Sequence, residues 1–361
     1  MADDPQRTRP QTQKGVSSPS NLNPALKRRE GPVQPTIAEY VEGVRRGDRI
    51  MLSRAITLVE SKLDKHRLQA QEIIEACLPF SGSAIRIGIT GSPGVGKSSF
   101  IEALGGHLLD QEHRLAVLAI DPSSQVSHGS ILGDKTRMGK LSNDERVFIR
   151  PSPAGDSLGG VARKTRETII LCEAAGYNTI FIETVGVGQS EIAVHSMVDF
   201  FLLLLLPGAG DELQGIKRGI VEMADLIAVH KADGERLALA KRARREYKNA
   251  LHLFPPKDSQ WTPQVVMCSS LSKLGIADIW TLIRDYQVYT QQTGYFDRKR
   301  REQARYWLKE TINRQLQYLF YHHPEVHAQW AETEQAVMDG RISSFAAAEE
   351  LLQLFVNRPS D

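Results

Sequence analysis

The residues best able to do chemistry in this 361-residue chain are Gly91-Ser92-Pro93-Gly94-Val95-Gly96-Lys97-Ser98, followed by Ser99. Their spacing fits G-x-x-x-x-G-K-[ST], and each part meets a need of a bound polyphosphate. Glycines let backbone N–H groups wrap the phosphates, and a helix N-terminus behind them adds a favourable dipole. Lys97 can reach the β- and γ-phosphates, and Ser98 can ligate Mg2+. By average composition the pattern arises by chance in roughly one percent of chains this long. An apolar run before it and a helical pattern after it weigh further against a bland glycine-rich turn.

Two carboxylates then close apolar runs. Asp121 ends LAVLAID and Glu183 ends TIFIE, at the strand edge where open α/β sheets bind ligands, so each could hold Mg2+ directly or through water. Asp121 also precedes Pro122 and two serines, where a turn-capping aspartate is the competing reading. After Glu183, Gly186 suggests a backbone N–H that approaches a γ-phosphate. The segment VGVGQSE then reads as a switch that senses hydrolysis, with Gln189 as the candidate for orienting the attacking water.

A third cluster, His230, Lys231 and Asp233, ends the run LIAVHKADGE. A phosphate loop, an acidic strand end followed by T-x-G, and a strand ending in x-K-x-D together resemble the GTPase pattern, whose last motif is usually Asn-Lys-x-Asp. Asp233 can accept from guanine N1–H and its 2-amino group, whereas adenine offers no matching donors. His230 can donate one N–H toward guanine O6 or N7 but is expected not to supply the amide's paired donor and acceptor. That predicts a loss of about one hydrogen bond, roughly 0.5–1.5 kcal/mol. Cys268-Ser269-Ser270, followed by Leu271, ends the last strand and resembles the loop that supports the base from its other side.

The elements that must position these groups alternate along the chain. IRIGIT, LAVLAID, VFIRP, TIFIE, FFLLLLL, LIAV and QVVMCSS read as nearly all-apolar strands separated by helical patterns. That predicts an α/β fold with a mostly parallel, doubly wound sheet covered on both faces. Residues 36–82 recur at helical spacing (Ile50, Leu52, Ala55, Ile56, Val59, Ile73, Ile74, Cys77) and read as a helical N-terminal extension. Residues 83–290 carry the sheet, and 291–361 give helices only. The basic stretch 296–316 reads as a solvated helix with Tyr306, Trp307, Ile312 and Leu316 packing inward.

Composition narrows the classes further. The chain is 41% hydrophobic and 24% charged with a formal charge of +2, enough for a sizeable core and too balanced to drive nucleic-acid or membrane binding. Its longest apolar run, 200–206, is far too short to span a bilayer. Three dispersed cysteines without CxxC spacing point to a reducing compartment, the cytoplasm. Residues 1–35, with six prolines and few large apolar side chains, read as a disordered tail. Asp3, Asp4 and the prolines count against a mitochondrial presequence there.

The wording between the motifs is more specific still. AIDPSS (119–124), HGSILGDKTRM (128–138), IRPSP (149–153), LCEAAGY (171–177), IETVGVGQSE (182–191), LPGAGDELQGIKRGI (206–220) and VHKADG (229–234) closely resemble the MeaB/ArgK family. These are GTPase chaperones associated with methylmalonyl-CoA mutase. The resemblance runs from about residue 36 to about 290 and more loosely through the C-terminus, with the tail and His230 outside it. It implies a P-loop GTPase that binds GTP and GDP with Mg2+, hydrolyses GTP slowly, and protects and reloads an adenosylcobalamin-dependent acyl-CoA mutase. It also implies a C-terminal helical arm that makes a homodimer. Carried over by residue, Lys97 and Ser98 hold phosphate and Mg2+, and Asp121, Asp134 and Glu183 surround Mg2+ and the switches. GAGDELQGIKRG (208–219) corresponds to a further switch that signals to the mutase.

Rival readings share this fold. A metal-delivery GTPase would need a ligand cluster, for which His322, His323 and His327 are the nearest candidates, although Pro324 interrupts their helix. A phosphotransferase would need a base for a substrate hydroxyl, and nothing in the sequence nominates one. A pure binding module would lack useful turnover.

Overall fold

Seven aliphatic runs form strands: β1 (Ile85–Gly91), β2 (Leu115–Ile120), β3 (Val147–Arg150), β4 (Thr179–Thr184), β5 (Phe200–Leu205), β6 (Leu226–Val229) and β7 (Gln264–Met267). The computed structural model describes residues 34–120, 138–151, 158–184, 190–208 and 218–356. All strand pairs are parallel, in the order β3-β2-β4-β1-β5-β6-β7. Every residue of β5 is buried, as in a strand with helices over both faces. From β1 the chain builds first toward β2 and β3 and later, through β5, in the opposite direction. This reversal puts the topological switch point at the carboxyl end of β1, where such sheets take ligands.

The register brings the chemistry-bearing strand ends together. Glu183 lies opposite Ile89, Gly91 opposite Leu204, and Val229 opposite both Leu205 and Met267. The phosphate loop, Glu183, His230 and Cys268 therefore share one edge of the sheet.

Before the sheet come α1 (Ile37–Arg45), α2 (Arg49–Glu60) and α3 (Asp64–Cys77). Thr36 and Glu39 form a reciprocal capping box on α1, and Asp48 accepts from the amides of Ile50 and Met51 to start α2. Leu52, Ile56 and Val59 of α2 join one core with Ile169, Cys172 and Ile180. Ile50 does not join it and is largely exposed. Two positions from Leu52 is about 200° around a helix, so this apolar residue is carried to the far side.

Between the strands lie α4 (Lys97–Leu109), α5 (Gly139–Ser142), α6 (Leu158–Ala174), α7 (Ser190–His195), α8 (Arg218–Met223) and α9 (Leu237–Leu251). After them come α10 (Ile276–Gln292), α11 (Tyr295–Tyr321), α12 (Pro324–Met338) and α13 (Ser344–Val356). On one face of the sheet, Ile85, Ile87 and Ile89 of β1 pack with Phe100, Ile101 and Leu104 of α4 and with Ile283 and Tyr286 of α10. None of the described helices is long and apolar enough to cross a membrane.

Residue 291, the expected start of the arm, falls inside α10, and the first half of α11 is bound to the sheet. Lys299 Nζ donates to Asp199 O at 2.8 Å, Arg300 pairs with the Asp199 carboxylate, and Gln303 Nε2 donates to Val198 O at 2.8 Å. One helical turn further on, Trp307 Nε1 donates to Ser196 O at 3.1 Å. Burial pulls the Lys299 pKa down, opposed by the carboxylates of Asp225 and Asp199. Of the four residues expected to pack inward, only Trp307 is buried, while Tyr306, Ile312 and Leu316 are about half exposed. Among the described residues, Trp307 is the residue of α11 that joins the core of the sheet, and Tyr306, Ile312 and Leu316 do not.

Candidate functional site

Glycine shapes the loop after β1. A Cβ on Gly91 would lie 2.5 Å from Leu204 O, so only glycine lets β1 approach β5 this closely at its end. Gly96 has φ +97° and begins α4 from the left-handed region, which points the first amides of the helix into the loop. Lys97 and Ser98 follow as the first residues of that helix.

Lys97 is buried, and its Nζ donates to the loop's own carbonyls, Gly91 O at 2.8 Å and Ser92 O at 3.3 Å. Burial lowers its pKa, while the carboxylates of Glu183 and Glu191 favour the charged form. Ser98 Oγ donates to Glu183 Oε1 at 3.3 Å. A hydroxyl and a carboxylate side by side are hard oxygen donors of the kind Mg2+ takes, with phosphate oxygens and water completing its shell. Thr184 Oγ1 donates to Thr90 Oγ1 at 2.9 Å and ties the ends of β4 and β1 together.

Glu191 is a site residue that the sequence does not single out, yet it is fully buried in α7 and acts on Lys97. The sole hint is its position at the end of the polar run VGVGQSE, and a sequence does not reveal that such a carboxylate is buried. Of the other residues expected at the site, Asp121, Asp134, Gly186 and Gln189 lie outside the described residues. The same is true of most of the segment 208–219.

The second half of the site is a loop after β6 facing a loop after β7. Lys231, at φ +57°, sends Nζ back to Gly94 O at 2.7 Å. Asp233 Oδ2 accepts from Ser269 Oγ, which itself accepts from the Ser272 amide at 3.2 Å. Ala232 N donates to Cys268 O at 3.0 Å and holds the two loops side by side. The cleft between them and α4 has a volume of about 920 Å3, within the range of a small-molecule site. Ser99, Lys231, Asp233, Ser270 and the exposed Leu271 line it.

His230 departs from expectation. It is buried, with Nδ1 2.7 Å from Val95 O and Nε2 2.7 Å from Ser270 Oγ. The ring does not offer an N–H to a base; it bridges the phosphate loop and the base loop. Both ring nitrogens are thus engaged with the two loops, one able to donate while the other accepts. Burial holds its pKa below the ordinary histidine value, opposed by the bond to Val95.

Two of the three histidines considered as metal ligands make aromatic contacts. His322 stacks on Tyr318, and His323 meets Phe355 edge-on. Among the described residues no group of three or more His, Cys, Asp or Glu is placed to hold a metal ion.

A parallel sheet with a phosphate loop on its middle strand and an x-K-x-D loop beside it defines a P-loop GTPase. More narrowly, this chain belongs to the MeaB family: the family model described as methylmalonyl-CoA mutase-associated GTPase MeaB matches residues 52–325. The chain is 45% identical to the GTPase ArgK of Escherichia coli over 80% of its own length and 87% of the relative's. It is 43% identical to the mouse mitochondrial methylmalonic aciduria type A homolog, over 90% and 85%. Among solved structures, that of an LAO/AO transport system kinase superposes with a TM-score of 0.71 at 35% identity, covering 88% of this chain and 97% of that one.

Proposed function

We propose that the chain binds GTP across the edge of β1, β4, β6 and β7, hydrolyses it with Mg2+, and uses the cycle to protect and reload an adenosylcobalamin-dependent acyl-CoA mutase, methylmalonyl-CoA mutase being the first candidate. The observation that carries this reading is the meeting, at one sheet edge, of Lys97 and Ser98 with Glu183 and of Asp233 with Ser269. Resemblance to the family supplies the mutase.

In this reading Lys97 leaves the carbonyls of Gly91 and Ser92 for the β- and γ-phosphates. The loop amides and the N-terminus of α4 hold the remaining charge. Ser98 and Glu183, together with Asp121 and Asp134, would hold Mg2+, which would supply charge neutralisation to the phosphates. The Gly186 amide meets the γ-phosphate, and Gln189 orients water. Asp233, held by Ser269, reads guanine, with Lys231, Ser270 and Leu271 around the base. Three buried cysteines, free of disulfides, suit a cytoplasmic site of action.

The solved relative carries the name of a kinase, but nothing in the sequence nominates a base for a second substrate's hydroxyl. Single-turnover GTP hydrolysis, measured alone and with methylmalonyl-CoA mutase, tests the chaperone reading. Addition of the mutase is expected to raise the rate at least about tenfold, since ordering the switches supplies positioning and charge stabilisation. An unchanged rate together with no binding of the mutase would reject it.

The helices beyond Trp307 are proposed to form a homodimer arm. Leu308, Ile312, Leu316 and Leu319 recur at spacings that place them on one face of α11, and each is 44–62% exposed. A stripe of that length needs an apolar partner, and a second copy offers the same stripe. The double substitution Ile312→Asp, Leu316→Asp is expected to give a folded monomer that still binds GTP. Light scattering that reports an unchanged dimer would reject the arm.

A further inference from the structure

We propose that Glu191 is a positioning residue that competes with the nucleotide's phosphates for Lys97, so that its fixed carboxylate weakens nucleotide binding and speeds nucleotide release. The proposal rests on the reading of the loop after β1 as a guanine-nucleotide phosphate site. Glu191 lies in the first turn of α7 and is fully buried, as is Ser190 before it. Ser190 Oγ donates to Glu191 Oε2 at 3.5 Å. Acidic side chains are almost never buried to this extent without an opposite charge to answer them.

The packing of α7 puts that carboxylate over the floor of the phosphate loop. Because β4 and β5 both run parallel to β1, the helix that joins them runs back against the strand direction. Where α7 meets β1 the strand carries Gly88, and a Cβ there would lie 2.8 Å from Val194 Cγ1. Glu191, three residues before Val194, is on the same face of the helix and about 4.5 Å nearer the carboxyl end of β1. Its side chain leans further that way, toward the N-terminus of its helix. This brings it to the level of Thr90 and Gly91, buried at the end of the strand. Lys97 Nζ is held at the same level, 2.8 Å from Gly91 O and 3.3 Å from Ser92 O. Burial lowers the pKa of this ammonium, and the charges of Glu183 and Glu191 oppose that shift.

The carboxylate has nowhere to retreat. Val194 is pressed onto Gly88, and just past the far end of α7 Ser196 O accepts from Trp307 Nε1 of α11 at 3.1 Å. His195 meets Phe201 edge-on, with 5.5 Å between ring centroids. An arriving nucleotide therefore finds a lysine whose charge is already partly answered. To pair with the β- and γ-phosphates, the ammonium has to move outward from a carboxylate that stays behind. Glu183 differs in this respect, because beside Ser98 its charge would be answered by Mg2+. Drawing opposite charges from about 5 to about 7 Å apart, at an effective dielectric constant near 20, costs about fivefold in affinity.

The test measures affinity and release of fluorescent GDP on the full chain with Mg2+, for wild type, Glu191→Gln, Lys97→Ala and the double variant. Glutamine keeps the shape and an accepting oxygen and removes the charge. Glu191→Gln is expected to bind GDP about three- to tenfold more tightly, with most of the gain in slower release. A damaged fold loses affinity, so a gain does not arise from disruption. In the Lys97→Ala background the same substitution is expected to change affinity less than about twofold, because the ammonium through which Glu191 acts is gone. Unchanged or weaker binding by Glu191→Gln overturns the proposal. So does a gain that persists in full without Lys97, which would come from direct repulsion of the phosphates. In wild type, the carboxyl carbon resonance of selectively labelled Glu191 is expected to move when GDP is added, since its lysine neighbour departs. A resonance that stays in place overturns the proposal independently of how the variants fold. Absence of guanine-nucleotide binding by wild type and Glu191→Gln alike would instead overturn the reading of the phosphate site, and this proposal with it.

Discussion

Lys97→Ala is expected to weaken GTP binding about 30- to 1,000-fold, because loss of a buried charge-assisted contact to phosphate costs about 2–4 kcal/mol. The structure sharpens the reason. Nζ is already desolvated and held by Gly91 O and Ser92 O, so the ammonium meets the phosphates with most of its water removed. Calorimetry should register the loss directly. Heat denaturation gives a second reading, since a ligand raises the melting temperature only in proportion to its binding of the folded form. Wild type should gain stability on addition of GTP, and the variant should gain almost none. An affinity within threefold of wild type would remove the phosphate site from β1.

The phosphate site is legible in the sequence because its residues are contiguous: eight positions in a row specify loop, lysine and hydroxyl together. Strands are equally plain, since a parallel sheet covered on both faces needs unbroken aliphatic runs, as in β5. The order of those strands is not legible, because it depends on which way each crossover turns. The insertion of β4 between β2 and β1 brings Glu183 to Ser98, and no local pattern announces that insertion.

His230 shows the same limit at the scale of one side chain. The chain marks it as an oddity in x-K-x-D, but its partners, Val95 and Ser270, are 135 and 40 residues away. Whether an imidazole can replace an amide depends on what faces each nitrogen, and that is a property of two distant loops. Amphipathic helices fail in a related way. The apolar positions of α11 are evident, but which of them are covered depends on where the sheet stops. Trp307 reaches Ser196, while Ile312 and Leu316 extend past it into solvent. Glu191 is the converse case, an acidic residue at the start of α7 whose burial and action on Lys97 no local pattern announces.

Asp233→Ala is expected to abolish the preference for guanine over adenine while leaving phosphate binding in place. Asp233 is fixed by Ser269, whose hydroxyl donates to Oδ2 and whose oxygen in turn accepts from the Ser272 amide. This chain of bonds sets the plane of the carboxylate before any ligand arrives, so little ordering remains to be done on binding. Guanine presents N1–H and a 2-amino group to such a carboxylate, and adenine would leave the charge without a donor in a closing site. Removing one partner of a buried, hydrogen-bonded charged contact costs about 2–5 kcal/mol, or about 30- to 4,000-fold in affinity for GDP. ADP should lose nothing, because it never made the contact, so the two affinities should converge. Ser269→Ala supplies an intermediate case: the carboxylate stays but loses its fixing bond, and about two- to tenfold of GDP affinity should go with it. Competition of GDP against ADP on the three proteins decides the matter. If wild type already prefers ADP, or if Asp233→Ala keeps its preference for GDP, guanine is read by other residues and the loop after β6 serves only to hold the phosphate loop in place.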